Sequence, residues 1–471
     1  MTTTAPHHPR GIRRPRSRSH WLAGGLVLLA ALGVQAGAAA SDAGRTDAEP
    51  AAAPPGQQRP LPDYDGRAPE PPKAGEVLIW IPRVLLGPIH AALEILLRRP
   101  LVGLITVAEE HHLIEHAKRL FTWDDGRAGL VPTFFYVFGL RPSAGLTFYW
   151  DDLGLPGHRI GVQTGFWDDK QQVAISDALE VFADRSATLE AEVLYQNRPD
   201  REFYGLGWRA PQADKSHYRI SLWQAAVGLR ARLGGLDRVG GRLFYRHAGF
   251  SPGEKPGIES RHAAAELAGY RTGYDLLGAT LDIELDTRSP ARDWTPGTGL
   301  RLEGWTTAAF DPTLPERALL RWGVELAGFL DLSGVNHVLG MRLTTVLAEP
   351  LGEAPIPFHE LPALGGLERM RGFREGRMRG ASTVVLTFNY RYPIWAYLDA
   401  NLFVGSGNAF GPYLAGFSFE RLRLVGGLGL RSNTSRKVSF DLMLAFGTSP
   451  FAADPFGIDD VHFVAGINRG F

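Results

Sequence analysis

From about residue 130 to the C-terminus, apolar and polar side chains alternate with a period of two. In 279–286, Ala279, Leu281, Ile283 and Leu285 alternate with Thr280, Asp282, Glu284 and Asp286. In 320–327, Leu320, Trp322, Val324 and Leu326 alternate with Arg321, Gly323, Glu325 and Ala327. In 436–446, Val438, Phe440, Leu442, Leu444 and Phe446 alternate with Lys437, Ser439, Asp441, Met443 and Ala445. Such alternation predicts strands with one apolar and one polar face. Segments of this kind start near 130, 143, 157, 171, 187, 217, 237, 277, 298, 317, 335, 382, 397, 420, 436 and 461. They make about sixteen strands of about ten residues, an even number as single-chain bacterial barrels require.

Upstream the period changes. Residues 82–97 (PRVLLGPIHAALEILL) and 101–119 (LVGLITVAEEHHLIEHAKR) space their apolar residues as helices do, interrupted by Arg98, Arg99 and Pro100. Neither is long enough, or free enough of charge, to span a bilayer as a helix. The pattern predicts a periplasmic helical segment over 76–125, lying at the barrel rim or plugging its mouth. Residues 41–75 hold eight prolines between Pro50 and Pro72 and read as a disordered linker. Residues 1–40 read as a secretory signal peptide. Arg10, Arg13, Arg14, Arg16 and Arg18 form its basic region, Leu22–Val34 its apolar region, and AGAAA its cleavage site, after Ala40.

Composition narrows the class. With 50 basic and 50 acidic residues the chain is neutral, which points away from nucleic acid as a partner. The absence of cysteine excludes disulfides, thiolate metal sites and a lipidated N-terminal cysteine. The 56 glycines, 25 phenylalanines, 13 tyrosines and 11 tryptophans suit an all-β membrane protein. A soluble sandwich would show the same alternation. The export signal, the aromatics near strand ends and the last strand, VHFVAGINRGF, decide for a membrane barrel. That strand puts Val461, Phe463, Ala465, Ile467 and Phe471 on one face. The expected fold is an all-β, sixteen-stranded antiparallel transmembrane β-barrel over 126–471.

One excursion stands apart. GGLERMRGFREGRMRG, residues 365–380, precedes the alternating ASTVVLTFNYRYPI. Long, basic, glycine-punctuated loops are costly to order unless something holds them, and the barrel interior is the obvious holder.

Five ordered segments here resemble the BamA/TamA-type outer-membrane protein-insertase superfamily, the bacterial surface antigen barrel that includes two-partner-secretion transporters. FYGLG at 203–207 resembles the mid-barrel element. DTRSPARDWTPGTGL at 286–300 resembles the D-T-R…P…G element, with Asp286, Arg288, Pro296 and Gly299 in place. LGGLERMRGF at 364–373 resembles the sixth extracellular loop, with Gly365, Gly366 and the tip Arg371, Gly372 and Phe373. NYRYPI at 389–394 and GGLGLR at 426–431 resemble later strands. The terminal Phe471 matches the assembly signal of such barrels.

The resemblance implies that the loop tip folds into the lumen and that Arg371 pairs with carboxylates on the next two strands. Both partners differ here: Asn389 stands where glutamate is usual, and Gly405 where aspartate is usual. A re-wired or weakened lock is expected, with Arg371 using Asn389, backbone carbonyls, water, or Asp282, Glu284, Glu325 or Asp441. The segment before the first strand is too short for a complete periplasmic docking module. A short, nearly barrel-only member is expected, with a periplasmic accessory protein as a partner that supplies docking modules.

Other constellations carry less. HHLIEH at 111–116 holds His112, Glu115 and His116 in an inverted zinc-protease spelling, but no third-ligand helix is evident. A polar helix face is the preferred reading, and neither metal nor cofactor is expected. Lumen charges such as Arg301, Glu303, Arg321, Arg421, Arg423 and Arg431 read as a solvated ladder or a conducting path. Gly466 and Gly470 either weaken pairing of the last strand with the first or leave room for lumen side chains. The expected function is non-enzymatic: outer-membrane biogenesis in a Gram-negative bacterium, by inserting or translocating protein or moving lipid at a seam between first and last strands. The alternative is a passive channel or structural barrel.

Overall fold

The computed structural model describes residues 119–471 except 183–185, 234–236, 264–265, 293–294, 333–336, 396–397, 433–439 and 468–471, and in addition Ile95, Arg99, Thr106 and His116. The expected signal peptide, the linker, most of the helical segment, Gly470 and Phe471 lie outside the described residues.

Sixteen long strands form the wall. They are β1 (Ala128–Val137), β2 (Ser143–Asp151), β3 (His158–Trp167), β4 (Lys170–Val181), β5 (Ala187–Phe203), β6 (Ser216–Leu233), β7 (Asp237–Pro252) and β8 (Tyr274–Asp286). The second half comprises β9 (Thr295–Asp311), β10 (Leu314–Asp331), β11 (Val338–Pro350), β12 (Ser382–Trp395), β13 (Leu398–Phe410), β14 (Arg423–Ser432), β15 (Phe440–Thr448) and β16 (Ile458–Ile467). Every start lies within four residues of the one expected from alternation.

Each strand pairs antiparallel with its chain neighbour, and β1 pairs with β16 from Phe134↔Ile467 to Val137↔Val464. The sheet therefore closes. Closure removes the edges that lipid would leave without hydrogen-bond partners.

The alternation resolves as expected. Leu281 and Ile283 of β8, Val324 and Leu326 of β10 and Leu444 and Phe446 of β15 stand exposed on the outside. Asp286, Glu325 and Asp441 of the same strands are buried inside. No helix of the described residues is long and apolar enough to cross a membrane; the barrel crosses with strands.

Strand length departs from expectation. β5, β6, β7, β9 and β10 run 16–18 residues rather than about ten. A tilted membrane strand needs only about 9–11. On β5–β7 the surplus lies at the end opposite the chain termini, where outward positions turn polar. There Arg219 donates to Asn197 at 3.2 Å and His247 pairs with Asp275 at 3.0 Å. This end, called the loop end below, carries the long connections 204–215, 253–273, 351–381, 411–422 and 449–457.

At the terminal end, the D-T-R element staples the β8–β9 hairpin. Arg288 Nε donates to both Asp286 oxygens at 2.8 and 2.9 Å, and its guanidinium lies 4.8 Å above the Phe329 ring. Gly299, at φ +153°, passes so close to the Arg288 backbone that a Cβ would collide with it. Asp286, Arg288 and Gly299 are thus a structural clasp.

Candidate functional site: the docked loop and the seam

The 351–381 excursion folds back into the barrel. Its stem is a two-residue ladder, Ala363–Leu364 against Met378–Arg379. Gly365 (φ +111°) and Gly366 (φ +92°) turn the chain into the lumen in a conformation that other residues rarely adopt. Gly366 N donates to Phe373 O at 2.8 Å and Gly365 N to Arg369 O at 3.1 Å, which closes the tip on itself.

The tip seats on the wall through Gly372 and Phe373. A Cβ on Gly372 would strike the Phe446 carbonyl, so glycine alone permits this approach to β15. Phe373 is fully buried with Leu364, Met370, Met378, Val385, Ala409 and Val425. Its ring lies against Gly447, where a side chain would occupy the ring's place. Gly447→Val is therefore expected to cost about 1–3 kcal/mol by overpacking. The variant should show faster protease cleavage within 365–380 while the barrel remains folded.

Arg371 does not take the expected partner. Its guanidinium lies 5.1 Å above the Phe403 ring, and among the described residues it makes no ion pair. Asn389 is paired in register with Phe403, yet its Oδ1 is buried without a partner and does not meet Arg371. Two of the acids offered as substitutes are engaged elsewhere. Asp441 pairs with Arg431 at 2.6 Å, and Glu325 with Arg342 at 3.2 Å and Arg301 at 3.3 Å. Without carboxylates at 389 and 405, an aromatic face and a carbonyl hold this residue. The Arg371 carbonyl accepts a hydrogen bond from His462 Nδ1 of β16 at 2.6 Å.

The charge lock is carried instead by three arginines further along the loop. Arg374 pairs with Glu202 of β5 and lies 3.7 Å from Asp460 of β16. Arg377, fully buried, pairs with Asp459 at 2.8 Å, donates to the Ala210 carbonyl, and stacks 4.1 Å from the Tyr204 ring. Arg379 donates to the carbonyls of Phe358, His359 and Leu361 at 3.1, 2.7 and 3.3 Å. Arg423 of β14 shares Asp459 at 2.7 Å and reaches the Arg209 carbonyl at 2.6 Å. Buried guanidiniums demand such acceptors, because an uncompensated buried charge costs several kcal/mol, although the Nε of each of these four arginines is buried without a partner.

Earlier in the excursion, Phe358 enters an aromatic and aliphatic cluster with Phe203, Tyr218, Phe244, Tyr274 and, from the 253–273 connection, Tyr270. Beside it, Glu360 accepts from Arg246 at 2.8 Å and from Tyr274 Oη at 2.6 Å. Burial would raise the Glu360 pKa, but Arg246 and Arg321 outweigh it and hold it at about 2. The carboxylate therefore stays charged throughout the physiological range. These contacts pack the loop against the inner face of β6–β11 at the loop end.

The seam is the other unusual place. β1 stops at Val137, so Ile458–His462 of β16 pair with β15 alone among the described residues. One further bond, Phe138 N to Phe463 O at 2.9 Å, ends the zipper. Gly466 leaves room for a lumen side chain: the Phe135 ring lies across it where a Cβ would fall.

The Omp85 superfamily domain matches residues 156–466. The chain belongs to the Omp85 superfamily. Among solved structures, BamA from Haemophilus ducreyi lacking POTRA domains 1–3 matches with a TM-score of 0.54 at 14% identity, covering 72% of this chain and 70% of that one. CdiB from Acinetobacter baumannii matches at 14% identity and TM-score 0.45, covering 71% of this chain and 58% of that one. CdiB from Escherichia coli matches at 12% identity and TM-score 0.47, covering 72% and 62%. No curated protein sequence matches. This Omp85 chain thus spans under two thirds of the length of either CdiB. The expected resemblance and the closed sixteen-stranded barrel are both borne out.

Three tip residues, Arg371, Gly372 and Phe373, come together in the Omp85 lumen with Gly365 and Gly366. The residues that hold them were missed: Glu202, Asp459, Asp460, Arg374, Arg377, Arg379 and Arg423. A signal for some of them lay in the sequence. Glu202 immediately precedes FYGLG, and Asp459–Asp460 open the last strand at the end where the loop must reach it. His112 and Glu115 lie outside the described residues. No cluster of metal-ligating side chains occurs among the described ones.

Proposed function

We propose that this Omp85 barrel acts non-enzymatically in the outer membrane of a Gram-negative bacterium, inserting or translocating a protein client, or moving lipid, through the seam between β1 and β16. The observation that carries this reading is the short β1. It leaves Ile458–His462 with backbone groups unpaired by β1, an open strand edge whose donors and acceptors must find partners. An incoming strand could complete the ladder there. Client and lipid come from the bilayer side, and a periplasmic partner would supply docking modules in trans.

The passive-channel alternative meets an obstacle in the aromatic cluster at the loop end. Phe358, Tyr218, Tyr270 and Tyr274 pack there in a buried cluster that takes up lumen space a wide aqueous path would need. Purified barrel reconstituted in liposomes is expected to accelerate insertion of a reporter β-barrel severalfold over empty liposomes and to give small, flickering conductance in planar bilayers. A steady open-pore current with no acceleration would overturn the proposal.

A further inference from the structure

Behind the seam lies a lumen cavity of about 810 Å³. Its walls come from both sides of the seam, with Phe135 and Val137 of β1 and His462 of β16, and from the docked loop. Seven arginines and Lys170 line it against four glutamates. Most of these cations are neutralised locally: Lys170 by Asp200 at 3.6 Å, Arg198 by Asp200 at 3.1 Å, Arg301 and Arg342 by Glu325, and Arg431 by Asp441.

Two are not. Arg369 and Arg371 have aromatic rings beneath them, Trp305 at 5.3 Å and Phe403 at 5.1 Å, and make no ion pair among the described residues. The rings fix the two guanidiniums from one side. Trp305 is itself held flat across Gly323, where a Cβ would collide with it. Burial and the like charges of Arg431 and Arg342 push the Arg371 pKa down, and Asp441 and Glu368 offset this only in part.

We propose that this cavity binds a phosphate-bearing anion, held between the Arg369 and Arg371 guanidiniums. Guanidinium forks match phosphate oxygens in pairs, and ring-stacked arginines are pre-organised for it. The position behind the seam suits the headgroup of an anionic lipid whose acyl chains stay in the bilayer; a free phosphate offers the same oxygens. The inference rests on the seam reading for the lipid's route and on the cavity alone for the binding chemistry.

Unfolding temperature of the detergent-purified full chain, measured against inorganic phosphate and against short-chain phosphatidic acid at constant ionic strength, tests it. A short-chain phosphatidylcholine, whose phosphate is masked by choline, serves as control. Both anions are expected to raise the unfolding temperature saturably. R369Q/R371Q should weaken the apparent affinity at least about tenfold, which corresponds to about 1.4 kcal/mol. Leu367→Glu, which sets a carboxylate in the cavity wall, should do the same without removing either arginine. Arg159→Gln, at the terminal end, should leave it unchanged. A response to phosphatidic acid alone identifies a lipid headgroup, and an equal response to both identifies the phosphate itself. No saturable response, or an undiminished one in both cavity variants, overturns the proposal. None of these readouts needs insertion activity, so binding without insertion, or the reverse, separates this site from the function proposed above.

Discussion

Replacing Arg377 with alanine is expected to undo the loop dock, although Arg371 is the residue in the R-G-F tip. Arg377 is fully buried and joins its loop to two other parts of the chain: the 204–215 connection, through the Ala210 carbonyl and the Tyr204 ring, and β16, through the Asp459 carboxylate. Its loss leaves Asp459 to Arg423 alone and strips the Ala210 carbonyl of one donor. Removal of one partner from such a buried network costs about 3–5 kcal/mol. Arg371→Ala, by contrast, loses a stacking contact worth about 0.5–2 kcal/mol and no ion pair. Heat-modifiable mobility in semi-native gels, with protease mapping of 365–380, discriminates the two. R377A should lose the compact band at a temperature well below wild type, and R371A close to it. The reverse order would return the lock to the tip arginine.

A disulfide across the seam has the second large effect. Tyr136 and Ala465 are paired in register on β1 and β16, and both face outward. Directly opposed antiparallel residues have Cα atoms about 4.5–5.5 Å apart, within the span a disulfide accepts. The chain has no cysteine of its own, so Tyr136→Cys with Ala465→Cys forms the only possible bridge. The oxidised barrel should assemble and resist heat like wild type yet lose reporter insertion almost completely, with recovery on reduction. Undiminished insertion in the oxidised protein would place the active region elsewhere.

The wall was legible because a barrel between lipid and water imposes opposite demands on alternate residues, and β8, β10 and β15 meet them nearly without exception. The five long strands were less legible. Above the bilayer, outward positions such as Arg219 and His247 become polar, the contrast between faces fades, and the pattern no longer marks where a strand ends. The lock was legible only in part. Gly372 and Phe373 declare themselves because close backbone approach and ring burial need those residue types. Arg374, Arg377 and Arg379 look alike in a basic run. Their partners lie in connections far away in sequence, and short-range pattern carries no record of such contacts. Asn389 misled for the same reason. Its place in the strand is as expected, but the guanidinium that usually meets it has turned to Phe403.

The dock also orders events in time. Arg374 meets a residue 172 positions before it, and Arg423 reaches back 214 positions to the Arg209 carbonyl. Asp459 and Asp460, which hold Arg377 and Arg374, open the very last strand. Contacts so distant must await the closure of the intervening chain, and their entropy cost is met only when both ends are in place. The loop therefore cannot settle until β5 and β16 both stand in place in the wall. Its burial is expected to come late in assembly: a barrel with a missing or misregistered final strand would leave Arg374 without Asp460 and Arg377 without Asp459, and the loop open to proteases. The same residues that hold the resting state can thus meet only in a barrel whose strands are all in register.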